Sequence, residues 1–271
     1  MAPLLDRATG VPERMDAPDV DPGALEEALD HIVAVNRWLG ARRALIRHLD
    51  WALPGPGAVD PEGREGAPPG AADARAGGAV DAAARPPSGR PTRILDVGTG
   101  AGDLASVMAR RARDRGRRVH VVGLDLHAAT LAVARERVGA GVRLVRGDGL
   151  RLPFRTGAFD VVHMGMTLHH MDGEALTALL REAGRVARGG RILVGELERN
   201  VPHYLGARIL AATVWRSNPV TRHDGPLSVL RAFTPAELLE LARRATLRSP
   251  SVHRHPLYRL VLRAEAPDAS P

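Results

Sequence analysis

The chain has 271 residues, a formal net charge of +7 and a hydrophobic fraction of 44%. This length is enough for one domain with a sizeable core. The absence of cysteine excludes a disulfide framework and a thiolate metal site. No run of about 18 apolar residues is present, which argues against a membrane span. Because the first 20 residues also lack the apolar centre of a signal peptide, we expect a cytoplasmic protein.

The positive charge is carried entirely by arginine, since all 38 basic residues are arginine and none is lysine. A basic chain can indicate nucleic-acid binding. Here the arginines are spread along the sequence, and the densest group, residues 110–118, is typical of a solvated helix face. Only 3% of residues are aromatic, so no platform for base stacking is evident. We therefore expect no nucleic-acid partner.

Two helices are predicted near the N-terminus, after about 20 residues that lack periodicity and that we expect to be loose. Asp21 is a suitable N-cap and Pro22 a suitable first helical residue, and apolar residues then recur at helical spacing as far as Leu39. A second helix is expected over residues 41–53. Trp38 lies at the joint, where we expect it to anchor the packing of the two helices.

A boundary follows at residues 54–91, which consist mainly of glycine, alanine, proline, aspartate and arginine. Val59 and Val80 are the only larger apolar residues there. Such a segment cannot bury enough surface to offset its ordering entropy, so we predict a disordered linker. It would separate a helical cap, residues 1–53, from a core domain, residues 92–265.

Strands and helices alternate from residue 93 onward, which predicts an α/β fold with a mostly parallel sheet. Asp172 is a candidate N-cap for a helix that ends near Gly189. Thr234 and Glu237 form a capping box around a proline and open a later helix. Two final strands are expected near the C-terminal end. The predicted strands are 93–97, 119–125, 142–146, 159–165, 190–196, 247–253 and 257–264, and the helices are 102–114, 128–138, 173–187 and 235–244.

A glycine-rich turn follows the first strand of this core, in the sequence Arg-Ile-Leu-Asp-Val-Gly-Thr-Gly-Ala-Gly-Asp of residues 93–103. Glycines there allow a tight turn and the close approach of a nucleoside-containing ligand. In the nicotinamide fingerprint the third glycine stands where this chain has Asp103. Asp96 and Asp103 would both repel a pyrophosphate, so the turn favours a cofactor that carries positive charge.

The turn resembles motif I of the class I S-adenosylmethionine (SAM) methyltransferases. Asp125 ends the second strand, where a carboxylate can accept both ribose hydroxyls, and Asp148 follows the third strand. The segments 152–154 and 158–160 are similar to the ubiquinone-biosynthesis-like branch of that family. The resemblance implies SAM as cofactor and a Rossmann-like seven-stranded, mostly parallel sheet with helices on both faces. It implies that the cofactor is bound by Asp96, Gly98, Thr99, Gly100, Gly102, Asp125, Leu126, Asp148 and Gly149.

Candidate acid–base residues follow the fourth strand, next to the expected position of the transferred methyl group. His169 or His170 could act as a base, although either could instead pack or bond the backbone. The long segment 197–232 is expected to form a lid over the acceptor. It contains His223, which Asp224 could orient, with a solvated loop as the alternative. Trp38 remains an alternative acceptor contact, and no spacing typical of a metal site is present.

The resulting hypothesis is a SAM-dependent methyltransferase that acts on oxygen or carbon of a small, aromatic or polyketide-like acceptor. One alternative is a protein that binds SAM for regulation without catalysis. A nicotinamide-dependent oxidoreductase is disfavoured by the glycine spacing. A nucleic-acid methyltransferase is disfavoured because the fourth strand is followed by Met-Thr-Leu-His-His rather than by an Asn-Pro-Pro-Tyr type motif. The sequence predicts neither the acceptor nor the oligomeric state.

Overall fold

One seven-stranded sheet forms the centre of the molecule. The computed structural model describes residues 5–53 and 91–268. The strand order is β3-β2-β1-β4-β5-β7-β6, in which β7 runs antiparallel to both of its neighbours and the first five strands are parallel. This confirms the predicted sheet. The strands are β1 Thr92–Val97, β2 Val119–Asp125, β3 Val142–Arg146, β4 Val161–Gly165, β5 Arg191–Leu197, β6 Arg248–His255 and β7 Arg259–Glu265.

Helices cover both faces of the sheet and bury two apolar layers. Side chains alternate along a strand, so Ile94 of β1 joins the layer under α2 and α3, whereas Leu95 joins the layer under α5 and α8. Burial on both faces explains why the parallel strands are rich in valine, isoleucine and leucine. The helices are α1 Pro22–Trp38, α2 Ala41–Ala52, α3 Asp103–Asp114, α4 Ala128–Arg137, α5 Glu174–Val186, α6 Val201–Ala212, α7 Pro219–Arg231 and α8 Pro235–Arg244.

Two of the three predicted helix starts have the expected caps. The Asp21 carboxylate accepts a hydrogen bond of 2.8 Å from the Ala24 amide, and the capping box of Thr234 and Glu237 is complete. The prediction for Asp172 was wrong, because Gly173 occupies the N-cap position of α5. Instead, arginine side chains and a backbone amide of other segments donate hydrogen bonds to the Asp172 carboxylate. These donors are Arg7, Arg231 and the amide of Gly10.

The N-terminal segment from residue 5 to residue 20 is packed, which corrects the expectation that it is loose. The Asp224 carboxylate of α7 accepts hydrogen bonds from the backbone amides of Arg14 and Met15, at 2.8 and 2.9 Å. The Glu13 side chain is almost completely buried. Polar contacts to residues about 200 positions away hold this segment, so a search for local periodicity does not detect its order.

Three other expectations concern the region before β1. Trp38 is 70% exposed, with the Arg37 guanidinium over its ring, so the prediction that it anchors helix packing was wrong. Of the predicted linker, residues 54–90 lie outside the described residues. No helix within residues 5–53 and 91–268 is long and apolar enough to span a bilayer.

Candidate functional site

A cavity of about 710 Å³ opens at the carboxyl ends of the parallel strands, between the sheet and helices α1, α6 and α7. In open α/β sheets ligands bind at this edge, near the point where the strand order reverses. Here the reversal lies between β1 and β4. The cavity brings together ten of the residues that the sequence singled out, namely Asp96, Gly98, Thr99, Gly100, Asp125, Leu126, Asp148, Gly149, His169 and His170.

The glycines of the turn after β1 serve different purposes, although all three have positive φ. A Cβ on Gly98 would lie 2.5 Å from the Thr167 hydroxyl oxygen, and a Cβ on Gly102 would collide with Val138. Gly102 therefore permits close packing against the end of α4 and does not line the cavity. A Cβ on Gly100 would meet no protein atom within 4 Å. Gly100 thus leaves the open surface against which a ligand can lie.

Asp96, near the end of β1, has protein partners for both of its carboxylate oxygens. Its Oδ1 lies 2.6 Å from Nδ1 of His163, and its Oδ2 accepts a hydrogen bond of 2.8 Å from the Thr99 hydroxyl. Asp96 and His163 are both almost completely buried. The carboxylate thereby fixes the conformation of the glycine turn from beneath.

Two further carboxylates face the cavity from the ends of β2 and β3. Asp125 accepts hydrogen bonds from the amides of Gly100 and His127, at 3.0 and 3.1 Å, while burial raises its pKa. Asp148 accepts a bond of 2.8 Å from the Leu150 amide. Backbone donors use part of each carboxylate and fix its direction, and lone pairs remain for a ligand.

A polar pair closes the cavity where α1 passes over the start of α3. The Asn36 amide nitrogen lies 3.2 and 3.4 Å from the two carboxylate oxygens of Asp103. Burial raises the pKa of Asp103 to about 6, and the nearby charge of Asp96 adds to this effect. The carbonyl oxygen of Asn36 is buried without a hydrogen-bond partner in the described structure. A buried acceptor of this kind suits a cationic ligand group.

On the opposite side of the cavity, His169 lies between two buried carboxylates. Its Nδ1 is 2.8 Å from Oε2 of Glu196, and its Nε2 is 3.7 Å from Oε1 of Glu13. The Leu168 amide donates to Glu196 at 2.7 Å, and the Ser228 hydroxyl donates to Glu13 at 2.9 Å. His169 is only 2% exposed. The arrangement fixes the orientation of the imidazole ring, as in a histidine–carboxylate dyad.

His170 has a different electrostatic environment, since its Nδ1 lies 2.7 Å from the Asp16 carboxylate and 3.8 Å from Glu13. Burial disfavours the imidazolium form, but the two carboxylates outweigh this effect and raise the pKa of His170 to about 9. His170 therefore carries a proton at neutral pH. Glu13, His169 and His170 also offer three potential metal-ligating atoms within 4.8 Å of one another, a grouping that spacing in the sequence does not predict.

His223, the third candidate from the sequence, does not line the cavity. Its Nδ1 lies 2.7 Å from Asp224, so the expected contact between these neighbours is present. The same carboxylate, however, anchors the N-terminal segment through two backbone amides. The structure thus separates His223 from His169 and His170, and the segment 197–232 contains two helices, α6 and α7, rather than a solvated loop.

Sequence reasoning missed several residues that line this cavity, and it missed Glu196, which holds the lining residue His169. Glu196 is an acid near the carboxyl end of β5, so the rule that selected Asp125 and Asp148 could have found it. Glu13 and Asp16 belong to a segment without periodicity and carry no such signal. Asn36 lies on an otherwise apolar face of α1, so the sequence pattern indicates a packing position rather than a binding residue.

Comparisons with known proteins agree with this geometry. Residues 94–190 match the family described as "Methyltransferase domain". The chain is 40% identical over 111 residues to the demethylmenaquinone methyltransferase of Thermus thermophilus, which covers 39% of this chain and 47% of that protein. It is 33% identical over 172 residues to the ubiquinone biosynthesis O-methyltransferase of Sodalis glossinidius, covering 60% and 64%. Residues 94–190 of the chain thus contain a methyltransferase domain.

The methyltransferase domain accounts for the glycine turn, Asp125 and Asp148, all of which lie within the matched residues. Similarity of fold extends beyond residues 94–190. A SAM-dependent methyltransferase of Thermotoga maritima, described as a possible histamine N-methyltransferase, has a TM-score of 0.53 and 18% identity. That similarity covers 90% of this chain and 98% of the other. The curated relatives are matched over about half to two thirds of their own length.

Proposed function

We propose that this protein transfers a methyl group from SAM to an oxygen or carbon of a small, aromatic or polyketide-like acceptor. One observation carries the proposal, namely that a single cavity joins the glycine turn of the methyltransferase domain to His169, whose Nδ1 lies 2.8 Å from the buried Glu196 carboxylate. The volume of about 710 Å³ suits a cofactor and a small acceptor together. The assignments of the site residues below belong to this proposal.

In the cofactor half, the residues present fit SAM. Asp125 would accept the ribose hydroxyls, and Asp148 the adenine amino group. Leu126, an apolar side chain that is 53% exposed at the rim, would be covered by the adenine ring. The unpartnered carbonyl oxygen of Asn36 and the carboxylate of Asp103 would face the ammonium group of the methionine moiety. Gly100 leaves the space that the cofactor's approach requires.

In the acceptor half, the cavity wall is formed by α1 and by the two helices of the segment 197–232. Ala207 and Ile209 of α6 and Val229 of α7 line it, so this part is largely apolar. The helical cap and the segment 197–232 would thus enclose the acceptor and exclude water. Aromatic or polyketide-like molecules suit such a wall because burial of apolar surface favours their binding.

When bound, SAM supplies an electrophilic methyl group that is already activated by its sulfonium. The protein must therefore align the acceptor and remove its proton where one is lost. His169 is our candidate base, since Glu196 would hold its Nδ1–H and leave Nε2, which lies 3.7 Å from Glu13, to accept the proton. The Glu196 carboxylate would stabilise the imidazolium that forms. His170 would remain protonated beside Asp16 and neutralise the carboxylates around it.

A methyl-transfer assay tests the proposal directly. Labelled SAM is incubated with a panel of phenols and quinols, and transfer of label is measured for the wild type, His169→Gln and His223→Gln. We expect the wild type to methylate at least one acceptor. His169→Gln should lower the turnover number about 100-fold, whereas His223→Gln should retain it. SAM binding without transfer to any acceptor would instead favour a regulatory SAM-binding protein.

A further inference from the structure

Arg259, at the start of β7, is a buried cation in an unusual environment. It is 2% exposed and borders the cavity. Its Nε donates to the backbone carbonyl of Leu39 at 2.9 Å, and its Nη1 lies 3.0 Å from the sulfur of Met166. Both acceptors are uncharged. Within residues 5–53 and 91–268, no carboxylate lies within ion-pair distance of this guanidinium, and Nη2 has no hydrogen-bond acceptor.

Two other buried arginines of the molecule show the usual solution. Arg199 pairs with Glu237 at 2.6 Å, and Arg231 pairs with Asp172 at 3.2 Å. Buried charges are normally paired in this way because the loss of hydration is costly. Burial lowers the pKa of Arg259 to about 10, so the group still carries its charge at neutral pH. A charged group with free donors at a ligand cavity is suited to bind an anion.

Glu196, whose charge acts on Arg259, already has hydrogen-bond partners of its own. Its oxygens accept from the amides of Leu168 and Leu197 and from His169. Met166, the residue that receives Nη1, has a positive φ of 58°. A non-glycine residue in that conformation is typical of strain held at a functional site.

The strand order places Arg259 on the acceptor side of the cavity. The groups assigned to adenosine lie at the ends of β1, β2 and β3, whereas β7 follows β4 and β5 on the other side of β1. Three strand spacings, about 14 Å, separate the backbones of β1 and β7, and the Arg259 side chain extends from β7 to Met166, directly after β4. The neighbouring lining residues Leu197 and His203 belong to β5 and to α6 of the acceptor wall.

We propose that Arg259 is an anion-binding residue for the acceptor, and that the natural acceptor carries an acidic group such as a carboxylate. The terminal nitrogens of the guanidinium would bind that group and hold the methylated atom towards the sulfonium methyl. This inference rests on the proposed function for the position of the acceptor. It narrows the acceptor class from small aromatic molecules to acidic ones.

Binding of a matched pair of probes tests the inference without requiring turnover. Wild-type protein saturated with S-adenosylhomocysteine is titrated with 2,4-dihydroxybenzoate and, separately, with 2,4-dihydroxybenzamide. The two probes differ in charge but hardly in shape. We expect the acid to bind at least about tenfold more tightly, as a charge-assisted hydrogen bond predicts. Equal affinities, or binding of neither probe, would overturn the inference.

Two arginine variants complete the experiment. Arg259→Met should abolish the preference for the acid. Arg263→Met is the matched control, because Arg263 is a buried arginine of the same strand that lies over the Trp51 ring, 4.1 Å from its centroid. It should keep the preference. Thermal unfolding of both variants verifies their folding. The comparison of the two probes on the wild-type protein does not depend on either variant.

The outcomes separate this inference from the proposed function. If Arg259→Met weakens the binding of S-adenosylhomocysteine itself, Arg259 holds the carboxylate of the cofactor and the inference is wrong. The inference is also wrong if Arg259→Met still binds the acid more tightly than the amide. If wild-type protein fails to bind S-adenosylhomocysteine or SAM, the proposed function fails first, independently of Arg259.

Discussion

At the scale of single residues, the same side-chain type has different roles according to its hydrogen-bond partners. Asp96 and Asp125 both end parallel strands, and both are buried. Asp96 is engaged on both oxygens by His163 and Thr99. Asp125 is bonded by two backbone amides and keeps lone pairs that face the cavity. Position after a strand thus selects candidates, but the partners decide which carboxylate can bind a ligand.

Asp125 gives the first prediction at this scale. Asp125→Ala should weaken SAM binding by more than about 1.5 kcal/mol, because two ribose hydroxyls would lose their acceptor in a partly dry site. Calorimetric titration of SAM measures the change. Asp114→Ala, at the end of α3 and away from the cavity, is the control and should bind SAM as the wild type does. Unchanged affinity in Asp125→Ala would refute the ribose assignment.

His170 gives a prediction about pH. Its pKa rises from 6.5 to about 9 on folding, so its ion pairs stabilise the protein fully below about pH 6.5 and lose this effect as pH rises through 9. Between about pH 6.5 and 9.5 the free energy of unfolding of the wild type should fall by up to about 3 kcal/mol more than that of His170→Gln. Urea titrations at several pH values measure both.

The control for this experiment is His223→Gln, which removes another histidine beside an aspartate, outside the cavity. It should retain the pH dependence of the wild type. If His170→Gln shows the same loss of stability with pH as the wild type, His170 is not held as an imidazolium by Glu13 and Asp16.

At the scale of elements, the glycine turn combines a packing requirement with a binding requirement. Gly100 and Gly102 both have positive φ, but only Gly102 packs against α4. Gly102→Ala should therefore lower the free energy of unfolding by about 1–3 kcal/mol more than Gly100→Ala. Gly100→Ala should show the larger loss of SAM affinity, since its methyl group would enter the cavity. Equal effects of both substitutions in both assays would contradict this division.

The N-terminal segment is the second element with a testable anchor. Asp224→Ala removes the acceptor of the Arg14 and Met15 amides. We expect faster hydrogen exchange over residues 11–17 and a lower turnover number, because Glu13 and Asp16 would leave His169 and His170. Exchange mass spectrometry measures the first effect. His223→Gln serves as the control, since it removes a partner of Asp224 without releasing the segment; slow exchange in Asp224→Ala would disprove the anchor.

At the scale of the whole molecule, the sequence predicted the sheet, and it located the lining residues of the proposed cofactor half better than those of the proposed acceptor half. Strands buried on both faces and a glycine turn are local signals, so β1 to β5 and the residues Asp125 and Asp148 could be identified directly. The acceptor half depends on contacts between distant segments. Glu13 reaches His169 because distant residues such as Asp224 and Ser228 hold its segment, and Asp172 binds arginines instead of capping α5. No local pattern encodes such pairings.

The cavity at the carboxyl end of the sheet is proposed to bind SAM rather than a nicotinamide cofactor. Calorimetric titration of the whole chain with SAM and, separately, with NADH distinguishes the two cofactors. We predict micromolar binding of SAM and no detectable binding of NADH, since Asp96 and Asp103 line the place where a pyrophosphate would lie. Binding of NADH, or of neither compound, would show that the cavity is not a SAM site.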